Sequence, residues 1–188
     1  FKASGIHCGL RKNKNKKDLA LVLSDTECDA AAIYTTNKVY GAPIKVTRAH
    51  LENGKARAVI CNSGNANTCN PDGVEKAQTM CKALSEKLGI NENDVVVAST
   101  GVIGQTLDVQ PIINGIPTLI SELDSSPEAG YCAAAAIMTT DTRLKQIAAE
   151  ITLSGKTVKI GGMAKGSGMI SPNMATMLCF ITTDADID

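Results

Sequence analysis

The chain has 188 residues, 44% of them hydrophobic but only 3% aromatic, and its 19 basic residues balance 19 acidic ones. That length suits one substantial domain, and the charge balance argues against nucleic acid or an anionic membrane surface as the main partner. No apolar run approaches the ~20 residues of a membrane helix, and with so few aromatics the core has to be built from Ala, Val, Ile, Leu and Met.

The first residues, Phe1-Lys2-Ala3-Ser4-Gly5, have no apolar signal-peptide region. They also lack an initiator Met, so the numbering is expected to begin inside a longer natural chain. Seven cysteines, at 8, 28, 61, 69, 81, 132 and 179, form no CxxC pair. Several lie in apolar runs, where a reduced cysteine is a small hydrophobe. The expectation is a cytoplasmic protein with neither a disulfide framework nor a zinc site.

Arg11-Lys12-Asn13-Lys14-Asn15-Lys16-Lys17 reads as a solvated basic connection in a hairpin. Residues 19–23 and 30–35 read as strands separated by the turn Ser24-Asp25-Thr26-Glu27. Thr47 is expected to cap a short helix ending at Gly54, and residues 56–61 to form a buried strand. Asn62-Ser63-Gly64-Asn65-Ala66-Asn67 then follows, either a turn cluster or a set of amides lining a polar pocket at a strand end.

Residues 74–88 give the clearest helix, with Val74, Ala77, Met80, Cys81, Leu84 and Leu88 on one face. Asn70-Pro71-Asp72 opens it and Gly89 closes it. Residues 95–98 form a strand running into Ser99-Thr100-Gly101-Val102-Ile103-Gly104. Such a glycine turn is ordinary, or it aims two consecutive N–H groups at a tetrahedral oxyanion. Ser126-Pro127-Glu128 opens a second helix that runs into the hydroxyl cluster Thr139-Thr140-Asp141-Thr142. Residues 146–153 and 156–160 flank Ser154-Gly155, a hairpin signal. Strands and helices mixed without strict alternation predict a layered α/β (α+β) architecture.

The chain is organised around its last stretch, Gly161-Gly162-Met163-Ala164-Lys165-Gly166-Ser167-Gly168-Met169-Ile170-Ser171-Pro172-Asn173-Met174-Ala175-Thr176-Met177-Leu178. A glycine-rich loop there meets a short apolar run, residues 177–181, that reads as a strand. Thr176 either simply starts that strand, where β-branched residues are at home, or is a nucleophile. Cutting the Ala175–Thr176 bond would give Thr176 an α-amine, and such an amine titrates near 7.7–8.0, so it can take the proton of the adjacent hydroxyl. Other chemistries fit poorly. Lys165-Gly166-Ser167 reverses the Walker order, and Ser167 lacks the G-x-S-x-G frame. His7 and His50 pair with no serine and acid, and Asp184, Asp186 and Asp188 lack the glycine and glutamate of a calcium loop.

The segment 165–178, closed by Thr182-Thr183-Asp184, resembles the self-cleavage segment of the ornithine acetyltransferase (glutamate N-acetyltransferase) family of arginine biosynthesis. Asn62–Asn67, Ser99–Gly104 and Met138–Thr142 resemble further family segments in the family's order. The resemblance implies a sandwich of mixed sheets and helices of the N-terminal-nucleophile kind, with residues 1–175 as an α-chain domain and 176–188 as the start of a β chain. It implies cleavage between Ala175 and Thr176, Thr176 as nucleophile, Thr100 and Gly101 as the oxyanion hole, and Thr139, Lys165 and Thr176 as substrate contacts. The implied reaction moves acetyl from N2-acetyl-L-ornithine to L-glutamate by ping-pong through an acetyl-threonine.

No metal or bound cofactor is implied, with acetyl-CoA left open as a co-substrate. The implied partners are N-acetylornithine, glutamate and the protein's own β chain, in an α2β2 heterotetramer. Family enzymes carry a long chain after the threonine, so 188 residues alone are expected to be inactive. Two rivals stand beside this reading. One is an N-terminal-nucleophile amidase or aminopeptidase, which releases product to water. The other is a non-catalytic anion-binding domain.

Overall fold

Side-chain alternation sets the layers. The computed structural model describes residues 1–168 and 177–187. In a strand successive side chains point to opposite faces, so along β2 (Leu19–Asp29) Leu19 and Leu21 enter one core and Ala20 the other. β1 (Lys2–Ile6), β2, β3 (Lys55–Asn65) and β4 (Val95–Val102) form a four-stranded sheet in that order. The first two pairings are antiparallel and β3–β4 is parallel. A parallel pair needs a crossover, here supplied by α2 (Gly73–Leu88).

One face of this sheet is covered by α2 with α1 (Ala42–His50) and α3 (Gln110–Ser121). Val46, Met80, Leu84, Ile112, Ile116 and Leu119 bury there against Leu19, Leu21, Ile60 and Val95. The other face carries α4 (Pro127–Ile137), capped at its start by Ser126, whose Oγ accepts the Ala129 N–H at 3.3 Å. Here the sheet offers only Ala20, Cys61 and Ala98, and the helix Ala133, Ala134, Ala136 and Ile137. Small residues let the backbones close in. A Cβ on Gly5 of β1 would stand 2.1 Å from the Cys132 carbonyl oxygen. Close approach replaces bulk in a chain with 3% aromatics.

Beyond α4 lies an antiparallel sheet of β5 (Lys145–Leu153), β6 (Lys156–Lys165) and β7 (Leu178–Thr183). Met163, Leu178 and Phe180 pack it onto α4. Its outer surface is apolar and open, with Ile147 at 74% and Ile181 at 71% exposure, beside Ile151 and Leu153. The order of layers is therefore three helices, mixed sheet, α4, antiparallel sheet: an α+β sandwich of the expected class. Among the described residues no helix is long and apolar enough to cross a membrane.

Several expectations are corrected. β2 does not stop at Leu23: its pairing with β3 shifts between Leu23 and Cys28 and resumes, so Ser24–Glu27 is a bulge inside one strand. Residues 30–35 form no strand. β1 and α3 were not anticipated. β1 is brief and polar at its outer end, while Pro111, Gly115 and Pro117 read as breakers although α3 accommodates all three. Gly161 and Gly162 belong to β6, paired with Thr182 and Ile181, rather than to a loop.

Thr47 does not cap α1, which starts after Gly41 with Pro43 in its first turn. Instead its buried Oγ1 donates to the Val97 carbonyl at 2.8 Å and accepts the Val97 N–H at 3.1 Å, riveting α1 to β4. Removing it strands two buried backbone groups. Thr47→Val is expected to cost about 2 kcal/mol of stability, a fall of roughly 4–8 °C in the unfolding midpoint by calorimetry.

Candidate active site

The parallel strands β3 and β4 end side by side, with Ser63 beside Thr100 and Gly64 beside Gly101. The crevice beyond the carboxyl ends of adjacent parallel strands is where such sheets accommodate ligands. Thr100, two residues past Ala98, shares its α4-facing side and is 1% exposed. Gly101 has φ +131°, and a Cβ there would lie 2.4 Å from the Gly64 carbonyl carbon. Thr100 and Gly101 thus stand in the last residues of a strand, not in the turn read from Ser99–Gly104; the chain turns only after Val102.

The asparagines of residues 62–67 are spent on backbone. Asn62 Nδ2 donates to the Asn65 carbonyl at 2.9 Å, Asn65 Nδ2 to the Gln105 carbonyl at 2.9 Å, and Asn67 Nδ2 to the Gly73 carbonyl at 2.7 Å. Of the two readings left open for this segment, the structural one accounts for these groups. They hold the ends of β3 and β4 in register and pin the loop after Val102.

The carboxyl end of α4 is tied to the same place. Ser63 Oγ donates to the Ala136 carbonyl and the Arg11 guanidinium to the Met138 carbonyl, satisfying acceptors that a helix end leaves open. Arg11 is thus turned inward, unlike the solvated run predicted for residues 11–17. The fully buried Asp18 bends that loop, accepting the Cys8 N–H at 2.6 Å and the Arg11 N–H at 2.9 Å. A Cβ on Gly64 would lie 3.3 Å from Arg11 Cγ, so Arg11 spans from the β3 end to the α4 end.

Just past α4, Thr139 is half-buried, and its N–H donates to Asp141 Oδ2 at 3.3 Å. Asp141 Oδ1 accepts the Gly166 N–H at 2.9 Å and pairs with Lys145 Nζ at 2.6 Å. Burial alone would raise the Asp141 pKa, but the bonds from Lys145, Gly166 and Thr139 hold it below the ordinary aspartate value. Lys165 ends β6, is 2% exposed, and donates from Nζ to the Gly166 carbonyl at 2.6 Å. Burial lowers its pKa from the ordinary lysine value, with Asp141 opposing. On β3 beneath it, burial pushes the Cys61 thiol up to about 12, so that sulfur stays a thiol.

The turn carrying Thr139 and the end of β6 carrying Lys165 are therefore brought together by Asp141, and Cys61 of β3 lies near Lys165. Ala175 and Thr176 lie outside the described residues. Leu178, two residues further along the chain than Thr176, pairs with Lys165. Asp141, Arg11, Asp18 and Lys145 were not singled out from sequence. Arg11 is one cation among a run of five, and nothing in composition separates the one that turns inward.

A buried ammonium whose pKa is lowered binds its proton less tightly folded than unfolded. Its charge thus costs stability below the folded pKa, and that stability returns as pH rises from there to the unfolded value. Lys165→Met, which keeps the length and drops the charge, is expected to gain about 1 kcal/mol at neutral pH in denaturant melts. The gain should shrink toward pH 10.

The ArgJ family model matches residues 2–188. The chain is 47% identical to the arginine biosynthesis bifunctional protein ArgJ of Caldanaerobacter subterraneus over 189 residues, covering 100% of this chain and 46% of that protein. It is 48% identical to the glutamate N-acetyltransferase of Methanocaldococcus jannaschii, again covering 100% of this chain and 46% of that protein. It therefore spans about half the length of these curated relatives. Among solved structures, the ArgJ protein of Bacillus halodurans superposes with a TM-score of 0.86 at 42% identity, covering 94% of this chain and 90% of that one. The ornithine acetyltransferase of Mycobacterium tuberculosis, complexed with ornithine, superposes with a TM-score of 0.78 at 33% identity, covering 91% of this chain and 90% of that one.

Proposed function

The chain belongs to the ArgJ family, and on that premise we propose that it is the α-chain region of an acetyltransferase moving acetyl from N2-acetyl-L-ornithine to L-glutamate. Residues 1–175 form the α chain and Thr176 begins the β chain. Thr176 Oγ attacks the Ala175 carbonyl, the acyl group passes to oxygen, and water opens the ester, freeing the Thr176 amine and an Ala175 carboxylate. The hydroxyl then attacks the acetyl carbon of acetylornithine while the α-amine takes its proton and passes it to the departing ornithine amine. The amine of glutamate attacks the acetyl ester in turn, giving N-acetylglutamate and the free hydroxyl.

The backbone N–H groups of Thr100 and Gly101 hold the oxyanion in each half-reaction. Lys165 and Thr139 orient the substrate, and an ammonium at Lys165 suits the α-carboxylate that both amino acids carry. No metal or bound cofactor takes part, and acetyl-CoA is to be tested as a second donor in the same assay.

One observation carries this reading. Leu178, two residues downstream of the nucleophile, is paired with the buried Lys165, which lies near Cys61, two residues before the Ser63 that pairs with Thr100 of β4. Chain lengths support the cut: 46% of a curated relative is matched, yet 90% of the chain in each solved relative. The open apolar face of β5–β7 supports the partner, because the remaining length of such relatives has that surface to cover. The assembly proposed is α2β2.

The test is intact mass and acetyl exchange of the full-length gene product. Two chains parting before Thr176, with acetyl moving from acetylornithine to glutamate, support the proposal. An unsplit chain, or acetate release without an acceptor, overturns it.

A further inference from the structure

Two elements that follow separate parts of the fold, the turn after α4 and the end of β6, meet at a single carboxylate. The Asp141 side chain is 3% exposed. It accepts the N–H of Thr139 at 3.3 Å and of Gly166 at 2.9 Å, and pairs with Lys145 at 2.6 Å. The chain beyond β6 continues over the same turn, since a Cβ on Gly166 would lie 3.5 Å from Asp141 Oδ1 and one on Gly168 3.5 Å from Thr140 Oγ1. Buried carboxylates bound by several donors hold geometry tightly, because removing one partner leaves the others unsatisfied.

We propose that Asp141 is a positioning residue for substrate, tying the Thr139 turn to the strand end that carries Lys165 and supplying the anion against which Lys165 presents its ammonium to a substrate carboxylate. This rests on the acetyl-transfer reading above. Among the described residues, those acting on the Lys165 charge include Asp141 from the turn, Cys61 from β3, Lys145 from β5 and Arg11 from the β1–β2 loop. Asp141 is the one carboxylate among them. It favours the protonated lysine, while Lys145 and Arg11 disfavour it. The Cys61 thiol is neutral throughout the working range.

The two partners of the pair thereby predict opposite shifts, which a merely structural role would not produce. In the full-length enzyme the alkaline limb of kcat/KM for acetylornithine, where Lys165 loses its proton, moves to lower pH in Asp141→Asn and to higher pH in Lys145→Met. Asp141→Asn also raises KM about tenfold, as expected when a charge-assisted bond to the substrate carboxylate is weakened. The same variant narrows the preference for acetylornithine over its α-carboxamide.

Equal losses on acid and amide, or limbs that stay in place, overturn the proposal. If Asp141→Asn does not fold, Lys145→Met decides alone, since its lysine is half exposed: an upward shift supports the proposal and no shift ends it. Absence of exchange in the wild type is a different failure, that of the acetyl-transfer reading itself.

Discussion

Thr176→Ala is expected to leave the full-length protein as one chain and to lower acetyl exchange by about four orders of magnitude, the scale on which covalent catalysts fail without their nucleophile. Both losses have one origin. In the proposed mechanism the Oγ that opens the backbone is the Oγ that later carries acetyl, and only the opened backbone supplies the α-amine that serves as its base. Thr176→Ser keeps a hydroxyl and an amine, so it should still split and retain measurable exchange. Intact mass and exchange, read on both variants, separate this mechanism from a non-catalytic anion-binding domain. For such a domain neither substitution changes mass pattern or ligand binding. An amidase would show the same loss of splitting but would release acetate to water without glutamate.

The layers of the fold were largely legible, because burial writes itself into period. Val74 to Leu88 repeats every three to four residues and is α2, and the runs at 95–98 and 146–153 are strands. What stayed hidden was set by tertiary contact. Pro117 lies inside α3, whose apolar face (Ile112, Ile116, Leu119) packs against the sheet strongly enough to override a local breaker. Thr47 has the chemistry of a cap, yet it binds the backbone of a strand fifty residues away.

The site shows the same division. Thr100, Gly101, Thr139 and Lys165 came from a motif resemblance, and composition alone left each with an ordinary structural alternative. Asp141 and Arg11 also reach partners far off in the chain, Gly166 and Met138, and no local pattern announces such pairings. The asparagines after β3 drew attention as pocket amides and turned out to be register pins.

The second large effect concerns Gly101. Its φ of +131° is a conformation side chains rarely adopt, and an added Cβ would lie 2.4 Å from the carbonyl carbon and 2.6 Å from the carbonyl oxygen of Gly64. Neither atom can rotate away, since both are backbone of the paired strand. Gly101→Ala must therefore push the ends of β3 and β4 apart, at about 3 kcal/mol or more of stability. The same displacement moves the N–H proposed to meet the oxyanion, and losing one such donor lowers kcat by about 10²–10³. Gly5→Ala is the control: its Cβ would stand 2.1 Å from the Cys132 carbonyl oxygen, between β1 and α4, with β2 and β3 separating it from β4. A comparable drop in unfolding midpoint is expected there, with kcat per folded molecule kept. Should Gly101→Ala, once folded, exchange acetyl as fast as Gly5→Ala, the oxyanion would have to be held by groups other than the end of β4.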